Sequence, residues 1–398
     1  MSETHVILGA GQAGAWAAVA MRRAGFAGRI VLIGAEPHLP YERPPLSKAW
    51  LTAETEPEPS WFHPAARYAE LDISLWLDSP AMALDLAERR VGLADGREIR
   101  FDRLLIATGG RARRLAVPGG ERALVLRDIA DARAIRARLE TARRVVCIGA
   151  GVIGLEAAAS ARTRGAAVTV LEAALVAMGR AVAPEVAGFI CDLHRAAGVA
   201  LEFGVSVTGI EADAVTCADG RAFPADLVLA GVGMQRETAL AEAAGLAVDN
   251  GVVVDALTAT AVPGVFAAGD VAAFPHRLVP DGLLRLETWR HAQNHGTAAG
   301  QAMAGAGRPY DEVPWFWTDQ YGVNLQVGGL PALASRTLLR VAEPRRLVAL
   351  HLDAAGRVVG ASAAEAPREM RPAMRLIQSG AVVDPARLAD PSVPLGSG

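Results

Sequence analysis

One glycine-punctuated turn occurs twice in this chain. Gly9-Ala10-Gly11-Gln12-Ala13-Gly14 follows the short β-branched run 5–8, and Gly149-Ala150-Gly151-Val152-Ile153-Gly154 follows the run 145–148. In each copy the first glycine permits a tight strand-to-helix turn. The second leaves room for a pyrophosphate against the backbone, and the third lets the helix pack on its strand. The helix behind the turn then offers free N–H groups and a positive dipole end to phosphates. A single such turn is a weak signal. Here each copy is preceded by a strand and followed by a helical stretch (12–24 and 152–164) and a second strand (29–33 and 168–171). Those are two βαβ units, so the spacing predicts two nucleotide-binding modules in one chain.

An acid is expected about 20 residues beyond each turn, where it takes the ribose hydroxyls. Glu172 closes the second strand of the second unit, and its charge repels a 2′-phosphate, so NADH is expected rather than NADPH. Arg180 lies nearby in sequence and works against that preference. Glu36 is the counterpart in the first unit.

The chain has 398 residues, more than one hydrophobic core serves, and its 41 glycines mark many close backbone approaches. Another short strand is expected at 104–106. Pro/Gly-rich seams fall at 111–121 and 262–264, and the strand–helix alternation ends near 305–314. Beyond it, 323–327, 336–341, 347–352 and 358–360 read as an antiparallel set followed by a helix over 370–379, with a loose tail over 390–398. The expected fold is α/β: two Rossmann-like dinucleotide-binding domains plus a small α+β C-terminal domain.

Net charge is −3, so no overall basic field attracts nucleic acid. The cysteines, Cys147, Cys191 and Cys217, are far apart, which leaves no CxxC relay and no local zinc site and fits a reducing compartment. The apolar stretch 6–20 is broken by glycines, follows Glu3 rather than a basic segment and runs into Arg22 and Arg23, so it reads neither as a signal peptide nor as a membrane span. A cytoplasmic protein without membrane or metal is expected.

Further segments carry a family resemblance: Tyr41-Glu42-Arg43-Pro44-Pro45-Leu46-Ser47-Lys48, Leu105-Ile106-Ala107-Thr108-Gly109, Gly264-Val265-Phe266-Ala267-Ala268-Gly269-Asp270, Leu286-Glu287-Thr288-Trp289 and Pro314-Trp315-Phe316-Trp317-Thr318-Asp319-Gln320. With the two glycine turns they resemble the ferredoxin reductases of oxygenase systems, over essentially the whole chain. The resemblance implies a glutathione-reductase-like arrangement, with an FAD-binding domain from 1–110 and 236–310, an NADH-binding domain at 111–235 and a C-terminal domain at 311–398. It implies that Arg43, Lys48, Ala81, Thr108, Gly109, Arg127, Gly269, Asp270 and Trp289 line the FAD site, Ala81 at the adenine and Trp289 against the isoalloxazine. Ala35 stands where many members carry an acid, so the FAD ribose falls to Glu36 or to a backbone group. Glu156 is implied to pair with Lys48 beside the nicotinamide pocket.

The implied chemistry is hydride transfer, for which the cofactors supply the reaction and the fold supplies orientation. Lys48, Glu156 and Trp289 are the candidate catalytic residues. Without a cysteine pair a disulfide acceptor is excluded, and the resemblance implies a two-iron two-sulfur ferredoxin, bound transiently by a monomer or homodimer. The clusters 111–114 and 340–346 are candidate docking charges. Alternatives are a rubredoxin or quinone-like acceptor, or a redox-sensing NADH-binding flavoprotein resembling the apoptosis-inducing factors.

Overall fold

The structure, a computed structural model, describes residues 3–395. The described chain divides into two compact units, each assembled from separated segments. The first takes 3–42, 58–111 and 235–312; the second takes 43–57, 112–234 and 313–395.

A five-stranded parallel sheet forms the centre of the first unit, in the order Val265–Ala267, Arg103–Ile106, Thr4–Leu8, Arg29–Ile33, Ile73–Trp76. Val6, Ile7, Ile30, Val31 and Leu32 are all 0 % exposed, as continuous apolar runs are when both sheet faces are covered. The helix Gln12–Arg23 supplies part of that cover through Ala15, Ala17, Ala18 and Met21. It ends on Arg22 and Arg23, cations placed at the negative end of its dipole, and Arg22 bonds the carbonyls of Phe26, Gly28 and Leu71. Beside the helix Gln12–Arg23 packs the longer helix Trp289–Met303, and an antiparallel sheet of Ala81–Asp85, Arg90–Leu93 and Glu98–Arg100 completes the unit's main elements.

The second unit repeats the plan, with strands in the order Ala200–Phe203, Ala167–Glu172, Arg144–Ile148, Leu227–Ala230, Leu124–Val125. Residues from 313 onward add a five-stranded antiparallel sheet, Trp315–Gln320, Val323–Gly329, Val358–Ala364, Arg346–Leu352, Arg336–Glu343, with the helix Pro367–Ser379 laid on it. The two sheets share one core, in which Cys147, Leu155 and Val170 meet Val323, Leu325 and Leu347.

The glycine turns and the expected strands stand within a residue or so of their predicted places in the parallel sheets; the antiparallel strands run longer. Two expectations change. Arg340, read as part of an exposed basic cluster, is 5 % exposed and donates to the carbonyls of Leu388 at 3.0 Å, Asp390 and Val393. Consequently 390–395 is no loose tail: Arg340 ties it down and Leu395 is 7 % exposed. The rest of that predicted tail, 396–398, lies outside the described residues. Trp315 and Trp317 stack on one another at 5.4 Å, half-buried, while Phe316 packs inward.

Among the described residues no helix is long and apolar enough to cross a membrane, and no group of His, Cys, Asp and Glu is placed to hold a metal ion. The cysteines are free and buried, and burial pushes the Cys147 thiol up to about 12, which leaves it unreactive.

Candidate functional site

In the first unit the glycine turn forms an open cradle. Gly9 has φ +110°, and a Cβ there would lie 2.1 Å from the Ala107 carbonyl oxygen; a Cβ at Gly14 would lie 1.9 Å from that of Gly9. Gly11 faces open space, with nothing within 4 Å of its would-be Cβ. The helix that starts after Gly11 carries no side-chain cap and no acid in its first turn, so its leading N–H groups are available to an anion. Ala13 meets the Gly269–Asp270 turn, where a Cβ on Gly269 would come within 2.8 Å of the Ala13 methyl. The Gly269 N–H donates to His295 Nδ1 at 3.2 Å, and Arg285 donates to the Asp270 carbonyl at 3.2 Å. Glu36 accepts a bond from the Tyr41 hydroxyl at 2.6 Å. Thr108 donates to the Glu237 carbonyl at 2.7 Å, and Gly109 turns the chain with φ +63°. Ala81 opens the strand Ala81–Asp85, and Trp289, half-buried, opens the helix that Thr288 caps.

The second unit's cradle has the same construction. Gly149 has φ +102°, a Cβ on Gly154 would lie 2.0 Å from the Gly149 carbonyl oxygen, and Gly151 has no neighbour nearer than 3.8 Å. The helix Val152–Thr163 again begins without a side-chain cap or an acid. Ile153, an apolar side chain in that first turn, is 43 % exposed. Glu172 is already fixed at the cradle, accepting from Ala150 N at 2.7 Å and from Ala174 N at 2.8 Å. Both cradles fit a dinucleotide: room at the middle glycine, an uncapped helix start and an acid at the end of the second strand (Glu172) or three residues beyond it (Glu36).

Lys48 and Glu156 are brought together in the second unit. Pro44–Ser47 forms a short 3₁₀ turn, with a proline where its missing N–H costs nothing, and delivers Lys48 Nζ to 2.9 Å from Glu156 Oε1. The Glu156 side chain is 2 % exposed and that of Lys48 23 %. Ser47 donates to the other carboxylate oxygen, and Thr318 donates to Oε1 at 2.6 Å. Ser160 in turn holds the Ser47 carbonyl at 2.6 Å. A buried carboxylate surrounded in this way is matched in charge and in hydrogen bonds. Arg43 also belongs to this unit and donates to the Arg127 carbonyl at 2.7 Å. The Arg127 N–H reaches Asp131 at 2.8 Å, whose carboxyl burial pushes up and which closes a capping box with Asp128. Ser47 and Thr318 are contributors that sequence reasoning missed. Both stood inside the segments singled out there, but nothing local marked them as partners of Glu156.

The sequence profile described as pyridine nucleotide-disulphide oxidoreductase matches residues 3–296, and the one described as reductase C-terminal matches 315–397. The chain is 41 % identical to the ferredoxin–NAD(+) reductase component of the p-cumate 2,3-dioxygenase system of Pseudomonas putida, over 98 % of this chain and 97 % of that protein. Among solved structures, the ferredoxin reductase for the CYP199A2 system from Rhodopseudomonas palustris superposes with a TM-score of 0.95 at 35 % identity, covering 99 % of this chain and 98 % of that one. The covalent putidaredoxin reductase–putidaredoxin complex gives 0.94 at 36 % identity, covering 99 % and 97 %. With both glycine cradles intact and both profiles matched in order, the chain belongs to the pyridine nucleotide-disulphide oxidoreductase family, in a form that carries the reductase C-terminal domain.

Proposed function

We propose that this protein is an NADH-dependent ferredoxin reductase, bearing FAD on its first glycine cradle and serving a two-iron two-sulfur ferredoxin that feeds an oxygenase of the P450 or Rieske type. The observation that carries the reading is the pair of open, uncapped cradles in one chain. The near-full-length likeness to a ferredoxin–NAD(+) reductase component supports the acceptor. The low, odd cysteine count, with every thiol buried, supports a cytoplasmic setting and a non-disulfide acceptor.

When bound, the nicotinamide would supply a hydride, and the flavin would take it and release its electrons singly. The chain's own work is binding, orientation and electrostatics. Gly9, Gly11, Ala13 and Gly14 would hold the FAD pyrophosphate, with Glu36 at the ribose, Ala81 at the adenine, and Thr108, Gly109, Gly269 and Asp270 along the ribityl side. Arg43 and Arg127 would add FAD contacts, and Trp289 would lie against the ring. Gly149, Gly151, Ile153 and Gly154 would hold NADH, with Glu172 at its ribose. Lys48, its ammonium fixed by Glu156, would stabilise negative charge on the flavin ring. On this reading 1–110 and 236–310 form the FAD-binding domain, 111–235 the NADH-binding domain and 311–398 the C-terminal domain. Of the basic clusters, 111–114 keeps Arg111, Arg113 and Arg114 exposed and is the better candidate for an acidic partner.

NADH-driven reduction of cytochrome c, with and without an added two-iron two-sulfur ferredoxin, tests the proposal. A rate that rises strongly with ferredoxin is expected. A rate indifferent to it removes the acceptor assignment, and slow flavin bleaching with a long-lived charge-transfer complex points to a sensing role instead. Coenzyme choice is tested by the double variant Glu172→Gln with Ala174→Arg. It should move the NADPH-to-NADH preference by roughly ten-fold or more, because a repulsion is removed and a charge-assisted hydrogen bond to the 2′-phosphate is added. Unchanged discrimination in kcat/KM would remove the role given to Glu172.

A further inference from the structure

Glu156 stands at one end of a line of polar side chains buried in the second unit. Thr318, Gln320 and His194 are 0 %, 2 % and 0 % exposed, and polar groups at such depth persist only when each is matched. Thr318 Oγ1 donates to Glu156 Oε1 at 2.6 Å, and Gln320 Nε2 donates to Thr318 Oγ1 at 3.0 Å. His194 Nε2 lies 2.6 Å from Gln320 Oε1, and the Tyr321 hydroxyl lies 3.1 Å from His194 Nδ1.

Counting hydrogens fixes the direction of every bond. Thr318 has one hydroxyl hydrogen and gives it to the carboxylate, so toward Gln320 it can only accept. Gln320 therefore presents its NH₂ to Thr318 and its oxygen to His194, whose Nε2 must carry a proton. Burial lowers the pKa of His194, so the ring is neutral and Nδ1 is a bare acceptor. Tyr321 must then donate to it. All the donors point toward Glu156.

The backbone gives independent support. Tyr321 and Gly322 link the strands Trp315–Gln320 and Val323–Gly329 with φ values of +53° and +70°. A two-residue turn of that kind favours Asn-Gly, and a tyrosine in the left-handed region is strained. Here the tyrosine is held by its hydroxyl bond, by edge-on contact with the His194 ring at 5.0 Å, and by Arg345 on its carbonyl at 2.9 Å. The contacts that hold this strained residue in its turn are the ones that complete the line.

We infer that Thr318, Gln320, His194 and Tyr321 are positioning residues, a one-way chain of donors through which the C-terminal hairpin and the helix Pro184–Ala196 orient the Glu156 carboxylate that fixes Lys48. The inference rests on the role proposed above for Lys48 and Glu156. It makes the C-terminal domain part of the hydride-transfer machinery.

Thr318→Val removes the last donor at nearly constant shape, and Thr318→Ser keeps it. In flavin-loaded protein, the rate constant for bleaching by NADH is expected to fall ~10-fold in Thr318→Val, with the Kd for NADH within about two-fold of the original, and to recover in Thr318→Ser. A second measurement needs no turnover. Nitrogen NMR of histidine-labelled protein should show His194, assigned by its loss in His194→Gln, as the Nε2–H tautomer. Gln320→Leu, which removes the acceptor for that proton, should shift the ring toward the other tautomer. An unchanged rate in Thr318→Val, or an Nδ1–H tautomer in the unaltered protein, overturns the inference. Should the unaltered protein fail to bleach with NADH, the reductase reading fails instead, and the tautomer still decides the chain.

Discussion

Gly154→Ala is expected to give a protein that stays yellow on gel filtration yet is no longer bleached by NADH, and Gly14→Ala to give the opposite failure, a colourless protein. The reason is steric. The added methyl would lie 2.0 Å from the Gly149 carbonyl oxygen in one case and 1.9 Å from that of Gly9 in the other, where real contacts do not come under 3.0 Å. Both obstructions are backbone, so the helix must part from its turn by about an ångström, and the leading N–H groups leave the cradle with it. Each charge-assisted bond to a phosphate contributes roughly 1.5–3 kcal/mol, so losing two weakens binding by ~10²-fold or more. Gly151→Ala is the control. Its methyl meets nothing nearer than 3.8 Å, so stability should be kept while the room needed by the pyrophosphate is filled. Thermal stability separates the two effects: Gly154→Ala should lose both stability and NADH binding, Gly151→Ala only binding. If Gly154→Ala bound NADH normally, the second cradle would not be the pyridine-nucleotide site.

The parts of this molecule that were legible in the sequence are those fixed by neighbours along the chain. The turn 9–14 needs only its own glycines and the strand before it, and Glu172 reaches its cradle from the next strand of the same βαβ unit. What stayed hidden is held by long-range partners. Glu156 takes its hydroxyl donors from Ser47, 109 residues away, and from Thr318, 162 residues away. Arg340 looked like a solvated charge because the carbonyls that bury it arrive 48 to 53 residues later. The strand Trp315–Gln320 was recognised only as a family segment, since it inverts the usual alternation. Its indole rings at 315 and 317 lie half-buried on one face, while Thr318 and Gln320 point into the core. Side chains that serve a polar line inside the protein break the apolar-in, polar-out rule on which strand reading depends.

Acidification is expected to unfold the first unit before the second, with release of flavin between pH 6.5 and pH 5. Among the 8 histidines, His5, His194, His276, His291, His295 and His351 are 0–5 % exposed. Burial is the leading cause that lowers each: His5 and His351 to about 4, His295 to about 3, His291 well below its ordinary value, and His194 and His276 in the same direction. In the unfolded chain these rings titrate near 6.5. Above that value neither state binds their protons and stability is at its full level. Below it the unfolded chain takes up protons that the folded one refuses, so stability falls with pH until the depressed folded values are reached. Each ring costs up to ~1.4 kcal/mol per pH unit in that window, and the group together on the order of 5 kcal/mol by pH 5. That is comparable to the whole stability of a typical domain, about 5–15 kcal/mol. Asp226, held at about 2 chiefly by hydrogen bonds from Arg144, responds only at lower pH, while burial raises Glu42 and Asp131, which offsets part of the loss. His5, His276, His291 and His295 belong to the first unit, His194 and His351 to the second, which sets the order. His295 also accepts the Gly269 N–H through Nδ1, so protonating that nitrogen breaks a bond at the proposed flavin site. Flavin fluorescence and circular dichroism during thermal melts at pH 7, 6 and 5 would follow the two events. His295→Asn, which keeps an acceptor for Gly269 but cannot titrate, should make flavin release less sensitive to acid. A midpoint that stays level from pH 7 to pH 5 would mean these rings are not kept neutral by the fold.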